Sequence, residues 1–162
     1  MKHFTPENYD SGLMGLLLGR MNAVKDRLLD KFLVPHGVTA SQFKVLIIVA
    51  QFGTDTPADL CRHLSLDSGS MTRMLDRLEQ KELIVRNRSD IDRRQVHLNL
   101  TEEGKKLSDL LPQVGAAAMN EMFGCIDASE LALLEGILKK VLVAADDQTT
   151  IARLSFVQAG EK

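Results

Sequence analysis

The stretch DSGSMTRMLDRLEQKELIVRNRSDIDRRQVHLNL, Asp67 to Leu100, decides the fold, because its polar residues are placed and not scattered. Asp67 or Ser68 is suited to cap a helix. In the helix that follows, Met71, Leu75 and Leu78 fall on one face at i, i+4 and i+7. The 3.6-residue period puts Gly69, Arg73, Asp76, Arg77 and Gln80 on the opposite face, with Ser70 and Thr72 on its flanks. One side packs and the other reaches out. After Gln80 the period changes to two: Leu83 to Arg86 and Gln95 to Leu100 read as strands. Between them Asn87 to Arg94 is too polar to be buried and too short to fold alone, which makes a hairpin with a basic tip.

Upstream, Thr56-Pro57-Ala58-Asp59 is a helix start. Thr56 caps, Pro57 takes the first helical position where its missing N–H costs nothing, and Asp59 favours the positive end of the dipole. The short helix to Leu64, the turn Ser65-Leu66-Asp67 and the next helix make a helix-turn-helix, its first member bracing the second. With the hairpin this is a winged helix, mainly α with a small β part (α+β). The second helix can enter a DNA major groove N-terminus first, while the hairpin tip reaches a backbone or a minor groove.

Farther out, Thr39-Ala40-Ser41-Gln42 matches a capping box and opens a helix with Phe43, Leu46, Ile47 and Ala50 inward. From about Asp10 to Phe32, Leu13, Leu16, Leu17, Met21, Val24 and Leu28 keep a helical period that ends before Pro35 and Gly37. Gly12, Gly15 and Gly19 weaken this helix by up to ~1 kcal/mol each, so it depends on a partner surface, for which a second chain is the obvious choice. Thr101-Glu102-Glu103 opens a long helix through Met122, bent at Pro112, where the bond to the Ser108 carbonyl is lost. Asp127-Ala128-Ser129-Glu130 starts a last strong helix with Leu131, Leu134, Ile137, Leu138, Val141 and Leu142 inward. Beyond Asp147 the signal weakens, with Ile151, Leu154 and Phe156 available to dock the tail.

The chain resembles the MarR-type regulators. The resemblance rests on Asp67, Gly69, Thr72 through Leu78, the wing pattern Asp92-Arg93-Arg94, and Leu98-Asn99-Leu100-Thr101-Glu102-Glu103-Gly104. It extends through Lys25 to Leu29 and Gln42 to Leu46, and covers roughly residues 10 to 145. It implies a homodimer formed through the N- and C-terminal helices, with residues 1–36 and 102–162 as the helical dimerisation region and 37–101 as the winged helix-turn-helix. Ser68, Ser70, Thr72, Arg73 and Arg77 are the helix candidates for DNA contact. In the family the wing arginine at the place of Arg94 enters the minor groove, with Asp92 orienting it or bracing the hairpin. For Arg88 and Arg93, phosphate contact and simple solubility are not separable. Asp76 is expected to pair with a nearby arginine.

The family also binds small aromatic acids such as salicylate. The matching positions are Pro57, Thr72 and Arg86 for one site, and Ser70, Met74 and Arg77 for a second. A guanidinium pairs a carboxylate, a hydroxyl donates to it, and Pro or Met supports the ring. A pocket nearer the dimer interface, lined by the first and fifth helices, is the alternative. Some members sense oxidants through a cysteine near the start of the first helix, which has none here; others carry one in the recognition helix's last turn, where this sequence has Gln80. Cys61 and Cys125 read as small hydrophobes, and a thiol-based redox sensor is kept as an alternative.

The totals bound the function. A chain of 162 residues with 44% hydrophobic content builds a core. The net charge is only −2, but residues 68 to 94 hold 7 basic and 5 acidic side chains, whereas 95 to 162 hold 6 and 10. The positive excess sits where the reading helix and wing fall. The N-terminus MKHFTPENYD has no apolar region, and no run approaches the roughly 18 apolar residues a membrane span needs, so a cytoplasmic protein is expected. His3, His36, His63 and His97 form no ligand cluster, the cysteines lack metal spacing, and no catalytic constellation or phosphate-cradling loop assembles. No metal, cofactor or enzyme activity is expected. The leading function is a dimeric, ligand-responsive repressor on double-stranded DNA; a winged-helix module that binds protein is the alternative from another class.

Overall fold

The computed structural model describes residues 3–9, 13–52, 56–88 and 96–160. Two compact units divide the chain, Met1–Met122 and Phe123–Lys162.

In the first unit a short helix α1 (Pro6–Tyr9) precedes α2 (Met14–Leu33), a 3-10 turn (Val34–His36) and α3 (Ala40–Phe52). Then come α4 (Pro57–Leu64), α5 (Ser68–Gln80), the antiparallel strands β1 (Ile84–Arg88) and β2 (Val96–Leu100), α6 (Glu102–Asp109) and α7 (Leu111–Phe123). The caps fall where the sequence places them. Thr39 Oγ1 accepts from the Gln42 amide while the Gln42 side chain accepts from the Thr39 amide. Thr56 Oγ1 accepts from the Asp59 amide with Pro57 in the first turn. Of the two residues suited to cap α5, Asp67 does so, accepting from the Ser70 amide at 2.8 Å.

α3 lies at the centre, packed against α2, α6 and β2, while α4 and β1 pack on α5. Phe43, Leu46, Leu60, Met71, Leu75, Leu78, Ile84 and Leu98 are fully buried. Enclosure on several sides buries Val45 and Ile48 as well as the expected face of α3, whereas Ala50, expected inward, is exposed. Asp26 and Asp30 on α2 fasten α3, the first to Lys44 at 2.7 Å and the second to the Ala40 amide.

The hairpin runs in the register Ile84↔Leu100 to Arg88↔Val96, so Asn87 and Arg88 belong to β1 and not to the tip. Pairing with His97 and Val96 extends the ladder past the point where the hydrophobic pattern stops. The hairpin is anchored at its base by Thr101, whose hydroxyl donates to the Glu82 carbonyl at 2.6 Å and whose amide donates to that of Leu83. There α6 approaches so closely that a Cβ on Gly104 would lie 2.0 Å from the Leu83 carbonyl oxygen.

Pro112 does not bend one long helix: α6 ends at Asp109 with Leu110 as its C-cap, and a separate α7 begins at Leu111, with Pro112 second in its first turn. The missing N–H is harmless there.

In the second unit α8 (Ala128–Ala144) opens with a full capping box of Asp127 and Glu130, and α9 (Gln148–Gly160) packs on it. Of the expected inward positions of α8, Leu134 is half-buried, but Leu131, Ile137, Leu138, Val141 and Leu142 are exposed in a single chain. So are Leu13, Met14, Leu16, Leu17 and Leu18 at the start of α2. Among the described residues no single helix is long and apolar enough to cross a membrane.

Candidate nucleic-acid interface

With Met71, Leu75 and Leu78 turned into the core, α5 presents its polar face outward. Ser68, Thr72, Arg73 and Arg77 are exposed and Ser70 is half-buried. The first turn is tied together locally: Ser70 Oγ donates to Asp67 Oδ2 at 2.7 Å, and Arg73 Nη2 donates back to Ser70 Oγ at 3.1 Å. A Cβ at Gly69 would stand in ordinary contact with Arg73 Nη1, at 3.6 Å, but press on Asp67 Oδ1, the cap oxygen, at 3.2 Å. The Ser70 hydroxyl and amide, the Gly69 amide and the Arg73 charge hold the Asp67 carboxyl below its ordinary 3.8. Thr72 donates its hydroxyl to the Ser68 carbonyl at 2.8 Å.

Arg88 is exposed at the end of β1. Asp92, Arg93 and Arg94 lie outside the described residues. Arg86 is turned toward α5: it pairs with Asp76 at 2.7 Å and Glu79 at 3.3 Å and reaches the Thr72 carbonyl oxygen at 3.4 Å. Asp76 thus has the arginine partner expected of it.

Ser70, Met74 and Arg77 come together as lining of one open groove of about 390 Å³. Arg73 joins them, and the far wall is Thr39, Ser41 and Gln42 at the start of α3. The α3 residues escaped sequence reasoning, because the capping box marks a helix start and says nothing about which helix lies opposite. Gln42 is buried and its side-chain oxygen accepts from Lys81 at the C-cap of α5, which also donates to the Gly37 carbonyl. The buried Gln42 amide therefore ties the start of α3 to the C-terminal end of α5. Of the other expected set, Thr72 and Arg86 meet as described, and Pro57 opens α4, half-buried.

Cys61 is half-buried against the core, whereas Cys125 is exposed in the turn before α8 and is not the buried hydrophobe expected of it. Among the described residues no three His, Cys, Asp or Glu side chains gather as a metal site.

A short bracing helix, an exposed hydroxyl and guanidinium face on the next, and a hairpin directly after it define a winged helix-turn-helix protein. The MarR family model matches residues 38–96. The multiple antibiotic resistance protein MarR of Salmonella typhimurium is 41% identical over 130 residues, spanning 80% of this chain and 90% of that protein. A mutant of Escherichia coli MarR crystallised in complex with operator DNA superposes with a TM-score of 0.73 at 37% identity, over 86% of this chain and 99% of the other. CouR from Rhodococcus jostii bound to p-coumaroyl-CoA superposes with a TM-score of 0.68 at 26% identity, over 81% and 92%. The chain belongs to the MarR family of transcriptional regulators.

Proposed function

We propose that this protein is a cytoplasmic repressor that binds a pseudo-palindromic operator as a homodimer and is released by small phenolic or aromatic carboxylate compounds. The observation that carries the reading is the outward face of α5, with Ser68, Thr72, Arg73 and Arg77 exposed above a fully buried Met71, Leu75 and Leu78. Two such helices related by a two-fold axis meet successive major grooves about 34 to 36 Å apart. Ser68, Ser70 and Thr72 serve phosphates or base edges, and Arg73 and Arg77 reach guanine or phosphate. The wing, with Arg88, Asp92, Arg93 and Arg94, takes the flanking minor groove. Residues 37–101 form the reading domain, and 1–36 with 102–162 supply the dimer contacts through the apolar faces of α2 and α8.

An effector acts by shifting the dimer between operator-competent and incompetent arrangements. The groove of Ser70, Met74 and Arg77 has a cation, a hydroxyl and a soft apolar wall for such a compound. The second candidate set is Pro57, Thr72 and Arg86. Support comes from the relatives: the E. coli protein was crystallised with its operator and the Rhodococcus one with an aromatic thioester. The protein itself performs no catalysis and needs no cofactor. By likeness to the multiple antibiotic resistance protein MarR, antibiotic resistance is the trait it governs.

The test is a gel shift with fragments upstream of the protein's own reading frame, with and without salicylate. A saturable, salt-sensitive shift that salicylate reverses is expected. No shift, or full tolerance of Arg73→Ala and Arg94→Ala, would favour a protein partner.

A further inference from the structure

We propose that Arg86 is a positioning residue that fastens the wing to the reading helix, so that both meet one duplex at a fixed spacing; this rests on the operator-binding reading above. Arg86 stands opposite Leu98 in the hairpin, and directly opposite residues of an antiparallel pair share a face. Leu98 is fully buried, so Arg86 leaves β1 on the packed side, toward α5.

There it meets an acidic stripe. Thr72, Asp76 and Glu79 follow one another at i, i+4 and i+7, on one side of α5 over two turns. One guanidinium engages all three: Nη2 at 2.7 Å from Asp76 Oδ1 and 3.4 Å from the Thr72 carbonyl oxygen, and Nη1 at 3.3 Å from Glu79 Oε2. The Arg86 side chain is 28% exposed, and its two acids are more open. A planar fork with five donors spans separated acceptors that the compact ammonium of a lysine does not.

A two-stranded hairpin is marginal by itself, and here it is tied to α5 at its root by the Leu83 amide on the Leu78 carbonyl. Arg86 adds a polar attachment three residues farther out, opposite the buried Leu98. Without it the hairpin swivels about its root, and the wing no longer finds its groove when the helix has found its own. The same contact gives Asp76 and Glu79, on a helix that faces phosphates, a cation of their own.

The arrangement is tested from both sides by operator binding over a range of salt, with melting curves to verify folding. In Arg86→Gln, affinity falls about tenfold while the slope of log Kd against log salt stays that of the wild type, because no phosphate contact is lost. Arg86→Lys recovers only part of the loss. Asp76→Asn with Glu79→Gln also weakens binding, although it removes two negative charges, and adding Arg86→Gln to that pair makes it no worse. Amide exchange at Val85 and Asn87 speeds up in each variant. Tighter or unchanged binding by the acid-side pair would overturn the proposal. A salt slope lowered in Arg86→Gln by about 0.9, the contribution of one phosphate, would do the same, since it would make Arg86 a direct contact. The two layers separate cleanly. A wild type without a salt-sensitive shift overturns the operator reading, whereas a binding wild type whose Arg86→Gln variant binds equally well overturns only the fastening.

Discussion

α5 and α8 begin alike and end differently. Each is capped by an aspartate that accepts backbone amides of the first turn, Asp67 and Asp127, and each repeats apolar residues every three or four positions. In α5 the apolar row disappears, with Leu78 at 0% exposure; in α8 Leu133, Ile137 and Val141 stand at 66%, 51% and 58%. Local signals therefore make the helix, and surrounding elements decide whether its apolar face is covered. α5 has α4 and β1 packed against it within one chain, whereas α8, even with α9 beside it, keeps a continuous row in water. A row of that extent marks a surface completed by association, and the operator reading supplies a second copy.

The contrast breaks first at Ile137. Replacing it with Asp puts a charge into both halves of a two-fold contact, and each half forgoes about 2 kcal/mol of burial. Assembly weakens by roughly a thousandfold, operator binding goes with it, and the circular dichroism of the reading domain stays. Sedimentation velocity over a dilution series measures this; an unshifted dimer would mean that α8 is not the contact. Gly104→Ala is the opposite case, internal to one chain. Its methyl would overlap the Leu83 carbonyl, so α6 and the wing root must part, at a cost of about 3 kcal/mol read by urea unfolding. Arg73→Ala comes next. It costs little stability, since Arg73 is exposed and makes one hydrogen bond in the first turn, but it weakens the operator by about 2 kcal/mol and lowers the salt slope only if the lost contact is to phosphate.

These residues differ in how plainly the chain announces them. The α5 period, the caps at Thr39, Thr56 and Asp127, and the hairpin are legible because each is set by neighbours within four residues or by a two-residue alternation. Burial on α3 is not: a helix packed against α2, α6 and β2 buries residues such as Val45 that lie off a single 3.6-residue stripe. Pro112 is ambiguous for a different reason, since it bends a helix or starts one, and only the packing around Leu110 decides. The groove pairs Ser70 and Arg77 with Thr39 and Ser41, and the Arg86 contacts fold a strand back onto the helix just before it. Both depend on tertiary approach, which no local spacing encodes. The outward direction of the α8 row was illegible too, because an apolar stripe reads the same whether its cover comes from the same chain or another.

The smallest effect sharpens the resemblance between the two caps. Asp67 is held below 3.8 by the Ser70 hydroxyl first, then by backbone amides and Arg73; Asp127 is held below it by the Ser129 hydroxyl and the amides of Glu130 and Ser129. A carboxyl depressed in the folded state contributes stability that is complete above its unfolded value. That contribution shrinks as pH drops below 3.8 and is gone once the folded carboxyl takes its proton. Asn at either position still caps but does not titrate, so Asp67→Asn and Asp127→Asn each flatten the acid limb of stability against pH. The caps part company over salt. Arg73 contributes to Asp67 alone among these two, and added salt screens that share, so the Asp67 carboxyl moves up toward 3.8 while Asp127, held by hydrogen bonds, moves less. Carboxyl carbon NMR titrations at low and high salt measure both shifts. Equal shifts would show that Arg73 does not lean on the α5 cap in solution, and that the first turn of the reading helix is no more specialised than that of α8.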